Sequence, residues 1–364
     1  MKIQFRVGDK ANSQVLKSVI DVANSKTPEY LEFVSMAYVS DTEVKLVSTN
    51  LQISISSILH LSAPCESFDP VLVHKADLSH LVAICKDQIT LDTDKAKATC
   101  GKINLSLKVL DAKTYPEIKS IDAPSEMPIW SEEELEDLRL AIKILSPFVS
   151  TEEARARLCG INFKSDLSTG KIVLSATNGH VAGTIELLKK AYVDMDCIVP
   201  HQSFKILQSF LKATAFPTLF ADKSSLILHD TIQTLMIRLI EESFVDIAQI
   251  MPKQMDYDFP ITEELLACLH DGTTIATSQG TVKLSFDESK NFDVQVCGAD
   301  RGDVLYSYTN LVSEPIYTKN FALSYLISSI AHCSTIQDRS NELSPMVAKS
   351  LDGRVTTITM ARRS

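Results

Sequence analysis

Strand-like and helical patterns alternate along the chain. MKIQFRVGDK at the start, EVKLVSTNLQISISSIL from Glu43, INLSLKVL from Ile103 and TLMIRLI from Thr234 alternate apolar with polar residues and are rich in β-branched side chains. That is the pattern of half-buried strands. Elsewhere the period is helical. In residues 201–214, Phe204, Leu207, Phe210 and Leu211 mark one face, and His201, Lys205, Gln208 and Lys212 mark the opposite one. In residues 131–148 the core face is Leu135, Leu138, Ile142 and Leu145, with Glu132, Glu133 and Glu134 in the first turn, where the helix dipole favours acids. Further helices are predicted over 11–24, 75–87, 261–271, stopped by Gly272, and 320–333. Asp352-Gly353 signals a two-residue hairpin near the end of the chain.

These elements recur. LVSTN at 46–50 has a near copy, LSATN, at 174–178, and a weaker one, VCGAD, at 296–300. TYPEI at 114–118 pairs in the same way with SFVDI at 243–247, and the helix starts VHKADLSHLVAI, VPHQSFKILQSF and FALSYLISSI fall in step. The order strand, helix, strands, helix, strands therefore runs three times. Proline-containing polar stretches, IDAPSEMP at 121–128 and MPKQMDYDFP at 251–260, mark the boundaries. The expectation is an α+β protein of three repeated domains, 1–123, 124–252 and 253–364, each with two helices packed on antiparallel sheet.

Composition narrows the class. With 45% hydrophobic and 23% charged residues in 364, the chain has globular composition and material for more than one core. No apolar run approaches the roughly 18 residues a spanning helix needs, and the start reads as a strand rather than a signal peptide, so a cytoplasmic protein without membrane contact is expected. Eight scattered cysteines offer no CxxC pair and no zinc spacing, which suggests reduced, mostly buried thiols and no metal. A net charge of −10 argues against a surface that binds nucleic acid everywhere and leaves room for a local basic patch. The helix stripes provide one: Lys17, Lys75, Arg139, Lys143, Lys205 and Lys212 lie on faces opposite the predicted core. Without an aromatic stacking series or a helix-turn-helix, such stripes suit sequence-independent phosphate contact.

Catalytic signatures are missing: no GxGxxG, GxxxxGK[ST], HExxH or GxSxG occurs. His180 beside Asn178 is a candidate general base and Cys159 a candidate nucleophile. However, the earlier copy keeps the Thr-Asn pair and has Leu51-Gln52 where Gly179-His180 stand. Turn chemistry, with Asn178 bonding its own backbone and Gly179 taking a positive φ, explains the pair more simply.

The segments VKLVSTNLQISIS, LKVLDAKTYPEI, STEEARARLCGINF, KIVLSATNGHVAG, IVPHQSFKIL, FVDIAQIMPK, FALSYLISSI and RVTTITMARR, in this order, resemble the bacterial-type DNA polymerase III sliding clamp, the beta subunit. The resemblance implies a head-to-tail homodimeric ring of repeated DNA-clamp domains around duplex DNA, with no cofactor and no catalysis. It implies a processivity factor in DNA replication that tethers a replicative DNA polymerase and is placed on DNA by an ATP-driven clamp loader. It adds Lys26, Arg155 and Arg157 to the DNA-binding candidates. It also implies a partner-peptide pocket formed by Leu158, Thr177, Gly179, His180, Val181, Ala182, Val245, Ile250, Ile358 and Met360. The pocket rim departs from the family pattern: Val181-Ala182 replace Arg-Leu, Val245 replaces a proline, and the chain ends Met360-Ala361-Arg362-Arg363-Ser364. That ending, together with the weakly charged helices of the last third, keeps a second reading open, a clamp-fold interaction scaffold that does not encircle DNA. A hydrolase centred on His180 or Cys159 is the third.

Overall fold

The computed structural model describes residues 2–24, 27–118, 127–276, 280–286, 291–298, 302–309, 317–339, 341 and 343–362. They form two compact units, one from 1–135 with 202–239 and the other from 136–201 with 240–364. In the first unit an eight-stranded sheet runs in the order Thr218–Ala221, Ser225–His229, Gln233–Arg238, Ile53–His60, Glu43–Thr49, Phe33–Ser40, Val71–His74, Val109–Asp111. A four-stranded sheet runs Lys2–Arg6, Gln88–Asp92, Lys97–Cys100, Ile103–Ser106. The second unit repeats this plan. Its eight strands are Met195–Pro200, Gly160–Asp166, Lys171–Thr177, Val181–Lys190, Val355–Thr359, Met346–Lys349, Thr335–Asp338 and Tyr257–Pro260. Its four are Gly302–Thr309, Asn291–Gly298, Thr281–Phe286 and Tyr317–Ala322. The architecture is α+β with a repeated order of elements, as the periodicities imply.

Six α-helices are described: α1 Lys10–Val22, α2 Lys75–Ile84, α3 Glu132–Leu145, α4 Phe204–Ala213, α5 Glu263–Ile275 and α6 Leu323–Ile330. Their caps follow from the sequence. Asp9 accepts from the Ala11 amide at the start of α1, and at the start of α3 Ser131 and Glu134 exchange side chain to backbone bonds of 2.8 and 3.3 Å, a capping box. The four apolar residues expected to anchor α4 are its four buried ones. Two boundaries differ from expectation. Gly272 lies inside α5 instead of ending it, because a Cβ there would stand 2.8 Å from the Val296 side chain; the residue permits close helix-to-strand packing. Asn320–Ala322 are the end of a strand and not the first turn of α6, since an apolar run satisfies both periods until pairing decides. The Asp352-Gly353 hairpin forms, but its loop spans 350–354 between strands Met346–Lys349 and Val355–Thr359.

One pairing rule organises both eight-stranded sheets. In each, the third strand after the first helix of one third pairs with the third strand after the second helix of the next. Ile53–His60 pairs with Gln233–Arg238, Leu235 opposite Ile55; Val181–Lys190 pairs with Val355–Thr359, Thr357 opposite Gly183. The flanking bonds agree as well. The Arg238 amide donates to the Gln52 carbonyl at 2.8 Å as the Met360 amide does to that of His180 at 2.9 Å, and Ile58 to Ile232 matches Glu186 to Arg354 at 2.9 and 3.0 Å.

Candidate functional site: a paired-strand joint and a lysine-lined helix face

The repeated Thr-Asn element leads into each of these joints. Thr49 Oγ1 donates to the Ile53 carbonyl and accepts from the Leu51 amide, at 3.1 and 3.0 Å, while Asn50 Oδ1 accepts from the Gln52 and Ile53 amides at 3.0 and 2.7 Å. Thr177 and Asn178 make the same four bonds to Val181, Gly179, His180 and Val181, at 2.8, 3.1, 2.9 and 3.1 Å. The next residue has positive φ in both copies, 73° at Leu51 and 90° at Gly179. LSATNGH is thus a turn whose side chains replace missing backbone partners.

His180 is exposed, and its ring stacks on Tyr325 of α6 with centroids 5.8 Å apart. Burial, followed by the charges of Glu153 and Glu152, pushes the Cys159 thiol up from its ordinary value. This is the reverse of what an activated nucleophile requires.

The strand pairing in the second unit places Val181 opposite Thr359 and Ala182 opposite Ile358, with Met360 bonded to the His180 carbonyl. Ala182 and Ile358 are buried with Ile247 and Val347 in one apolar cluster, against which Phe244, Met251 and Met255 pack. Thr177 is buried at the head of the turn, Val245 is half-buried beside Phe244, and Ile250 and Met360 remain 44% and 37% exposed, giving the cluster an apolar rim. Leu158, also buried, ends the turn Glu153–Leu158. From that turn Arg155 reaches toward Gly179, its Nη1 lying 3.7 Å from where a Cβ would be. The sequence reading missed Ile247, Phe244, Val347 and Tyr325 as members of this site. Phe244 and Ile247 had a signal in the SFVDI copy of TYPEI.

The basic residues of the first unit converge along its helices. Lys17 of α1 and Lys212 of α4 line a cleft of about 520 Å³ with Lys10, Ser13 and Gln14. Lys75 and Lys205 line a second cleft of about 480 Å³ with Asn24, Asn50, Ser79 and Gln202. Lys75 is held by Asn24 at 3.0 Å and Glu32 at 3.8 Å.

In the second unit Arg139 bonds Glu136 at 2.8 Å, Arg155 lies 3.3 Å from Glu152, and Arg157 lies 3.7 Å from Glu242. Such exposed pairs are weak and exchange readily for another anion. Burial first, and the nearby charge of Lys143 second, lower the pKa of His332. Lys26 lies outside the described residues.

The chain is similar over nearly its full length to proteins of one kind. It is 24% identical over 307 residues to the beta sliding clamp of Lactococcus lactis, covering 78% of this chain and 77% of that one. It is 24% identical over 347 residues to that of Streptococcus pneumoniae, covering 90% and 89%. Among solved structures, the Caulobacter crescentus pol III beta protein superposes with a TM-score of 0.87 at 18% identity. The beta subunit from the DNA polymerase of Streptococcus pyogenes gives 0.84 at 19%, and both cover 100% of each chain. The fold is that of the beta sliding clamp. No family model matches the chain. The resemblance carried by the ordered segments extends to the whole clamp fold. Among the described residues no helix is long and apolar enough to cross a membrane, and no group of three or more His, Cys, Asp or Glu is placed to hold a metal ion.

Proposed function

We propose that this chain is a DNA sliding clamp, a non-catalytic processivity factor that encircles duplex DNA as a head-to-tail homodimer. One observation carries the reading. The pairing rule uses the third strand after each helix, and among the described residues two such strands stay open: Ile103–Ser106 at the edge of one four-stranded sheet and Gly302–Thr309 at the edge of the other. They are the counterparts of the strands that pair in the two joints. Each exposes an apolar residue, Ile103 at 40% and Leu305 at 61%. An open strand edge is a template for another chain, and joining the last third of one copy to the first third of the next, twice, closes a ring. In this reading the chain has three domains, 1–123, 124–252 and 253–364, and acts in the cytoplasm.

Lys17, Lys26, Lys75, Arg139, Lys143, Arg155, Arg157, Lys205 and Lys212 supply the phosphate contacts. Binding through such contacts is independent of base sequence and falls steeply with salt. The cluster around Ala182, Ile247 and Ile358, rimmed by His180, Ile250 and Met360, takes short apolar segments of a replicative polymerase and of an ATP-driven clamp loader, a few buried anchors supplying most of the affinity.

The test is topological. Two chains of 40.2 kDa are expected to sediment together, and protein loaded on a nicked circle is expected to stay bound at high salt until the circle is cut. Equal retention on circle and linear DNA overturns the reading. One observation favours the scaffold alternative: α5 and α6 contain no Lys or Arg. A monomer at all concentrations, with peptide capture intact, would establish it.

A further inference from the structure

One cleft of the first unit carries charge that the fold leaves unbalanced. Between α1 and the end of α4, Lys10, Lys17 and Lys212 line a cleft of about 520 Å³ together with Ser13, Gln14 and Ser209, and no residue lining it is acidic or aromatic. All three lysines are exposed, and among the described residues no hydrogen bond or ion pair holds their ammonium groups. The neighbouring cleft differs: Asp21 lines it, and its Lys75 is held by Asn24 and Glu32. The walls of the first cleft are fixed. Gln14 of α1 donates its side-chain amide to the carbonyl of Ala213, the last residue of α4. Asn12, 2% exposed, donates its own to the Arg6 and His60 carbonyls at 3.2 and 2.9 Å. Asp9 caps α1 at the Ala11 amide, so the charge of the cleft is that of its side chains.

We infer that this cleft is a binding site for a free oligophosphate, a short chain of phosphoryl groups such as pyrophosphate or triphosphate. Like charges around one concavity repel one another until an anion sits among them. Lysine meets phosphate as a point charge, without the fixed fork of arginine, and the hydroxyls of Ser13 and Ser209 add donors. The volume lies within the roughly 300 to 1,000 Å³ of small-molecule sites. An oligophosphate concentrates its charge on adjacent phosphoryl groups and fits such a space, whereas duplex DNA spreads its charge along a rod and meets the cleft only at its mouth. With no aromatic wall to stack a base, the site recognises the phosphate chain and not a nucleoside. Lys17 and Lys212 are also among the DNA contacts proposed above, so ligand and duplex exclude each other there. That consequence rests on the clamp reading, and the binding itself does not.

The experiment titrates the full chain, without DNA or divalent cations, with sodium tripolyphosphate by calorimetry at fixed ionic strength. A single saturable site per chain is expected. Lys17→Gln and Lys212→Gln should each weaken binding about tenfold, and Lys223→Gln, which removes an exposed charge outside the cleft, should leave it unchanged. Acetylation of Lys10, Lys17 and Lys212 by acetic anhydride, read by peptide mapping, should slow several-fold when tripolyphosphate is present. ATP should bind about as tightly as tripolyphosphate. Absence of saturable binding at millimolar tripolyphosphate, an equal loss in Lys223→Gln, or equal competition by sulfate overturns the inference. So does ATP binding more than about tenfold tighter than tripolyphosphate, since a base would then be read. Retention on circular DNA tests the clamp reading separately, and neither outcome decides the other.

Discussion

The two joints share one ladder register and one turn chemistry, and they differ in nearly every side chain that fills them. In the first, Ser54 stands where the second has Ala182, its Oγ lying 2.8 Å from Thr49 Oγ1. Met236 stands where the second has Ile358. Tyr115, the counterpart of Phe244, inserts its hydroxyl between the Thr49 amide and the Phe33 carbonyl, 3.2 Å from each. That hydroxyl closes the first joint with satisfied polar groups. Phe244 has none, and the same place in the second joint is an apolar cluster.

The latches differ too. Asn12 accepts from the His60 amide at 3.1 Å and donates to its carbonyl at 2.9 Å. At the matching position Asp137 accepts from the Leu188 amide at 2.7 Å. Having no donor of its own, it takes Arg354 across the joint at 2.7 Å instead. Backbone pairing keeps the joint and leaves its side chains free to become a polar seal in one unit and an apolar cluster in the other.

Exchanging residues between the joints is expected to show how far the two are interchangeable. The largest effects fall at the matched pair Ile55 and Gly183. Ile55 is 1% exposed, and Ile55→Gly should cost about 4 kcal/mol through the cavity and the added backbone freedom. In the second joint a Cβ at 183 would stand 2.6 Å from Phe148 and 2.9 Å from Leu145, so Gly183→Ile should cost about 3 kcal/mol. Urea unfolding reads both, and tolerance of either exchange would show that the joints pack alike.

Next in size is Arg354→Met. It leaves Asp137, whose side chain is 8% exposed, with one partner fewer. Because Arg354 is itself 32% exposed, the loss is about 1 to 2 kcal/mol rather than that of a fully buried pair. Ile232→Arg at the matching place of the first joint should gain nothing, since Asn12 carries no charge.

Smaller still is the turn residue. Gly179→Ala, at φ 90°, should cost about 1 kcal/mol, and Leu51→Gly, at φ 73°, should be neutral or slightly stabilising because strain relief offsets the added freedom of the unfolded chain. Thermal melts of the two single variants give the order.

The smallest effect is one of pH. Hydrogen bonds from Ser350, then from the Arg354 backbone, hold Asp352 at about 2 against its ordinary 3.8. A carboxylate lowered on folding stabilises above its unfolded value, and that contribution fades as pH falls from about 4 toward 2. Asp352→Asn should remove this part of the acid sensitivity and leave stability at neutral pH little changed beyond the lost bonds.

The helices were legible because one face of each meets the core: the period of Phe204, Leu207, Phe210 and Leu211 appears unchanged as burial. The Thr-Asn turn was legible because its bonds join residues no more than four apart. The end of α5 and the start of α6 were not. Gly272 is explained by Val296, and Asn320–Ala322 by the strand Thr281–Phe286, partners distant in sequence.

The same reason separates what the chain alone determined from what the tertiary structure decided. Local periodicity and repetition were enough to establish the α+β class, the recurring order of elements and the lysine stripes, since each depends on near neighbours and on which side chains prefer water. Which strand pairs with which rests on backbone groups that are identical in every residue. Only the folded chain could therefore bring Ala182 to Ile358 and Lys17 to Lys212, and leave Ile103–Ser106 and Gly302–Thr309 at sheet edges.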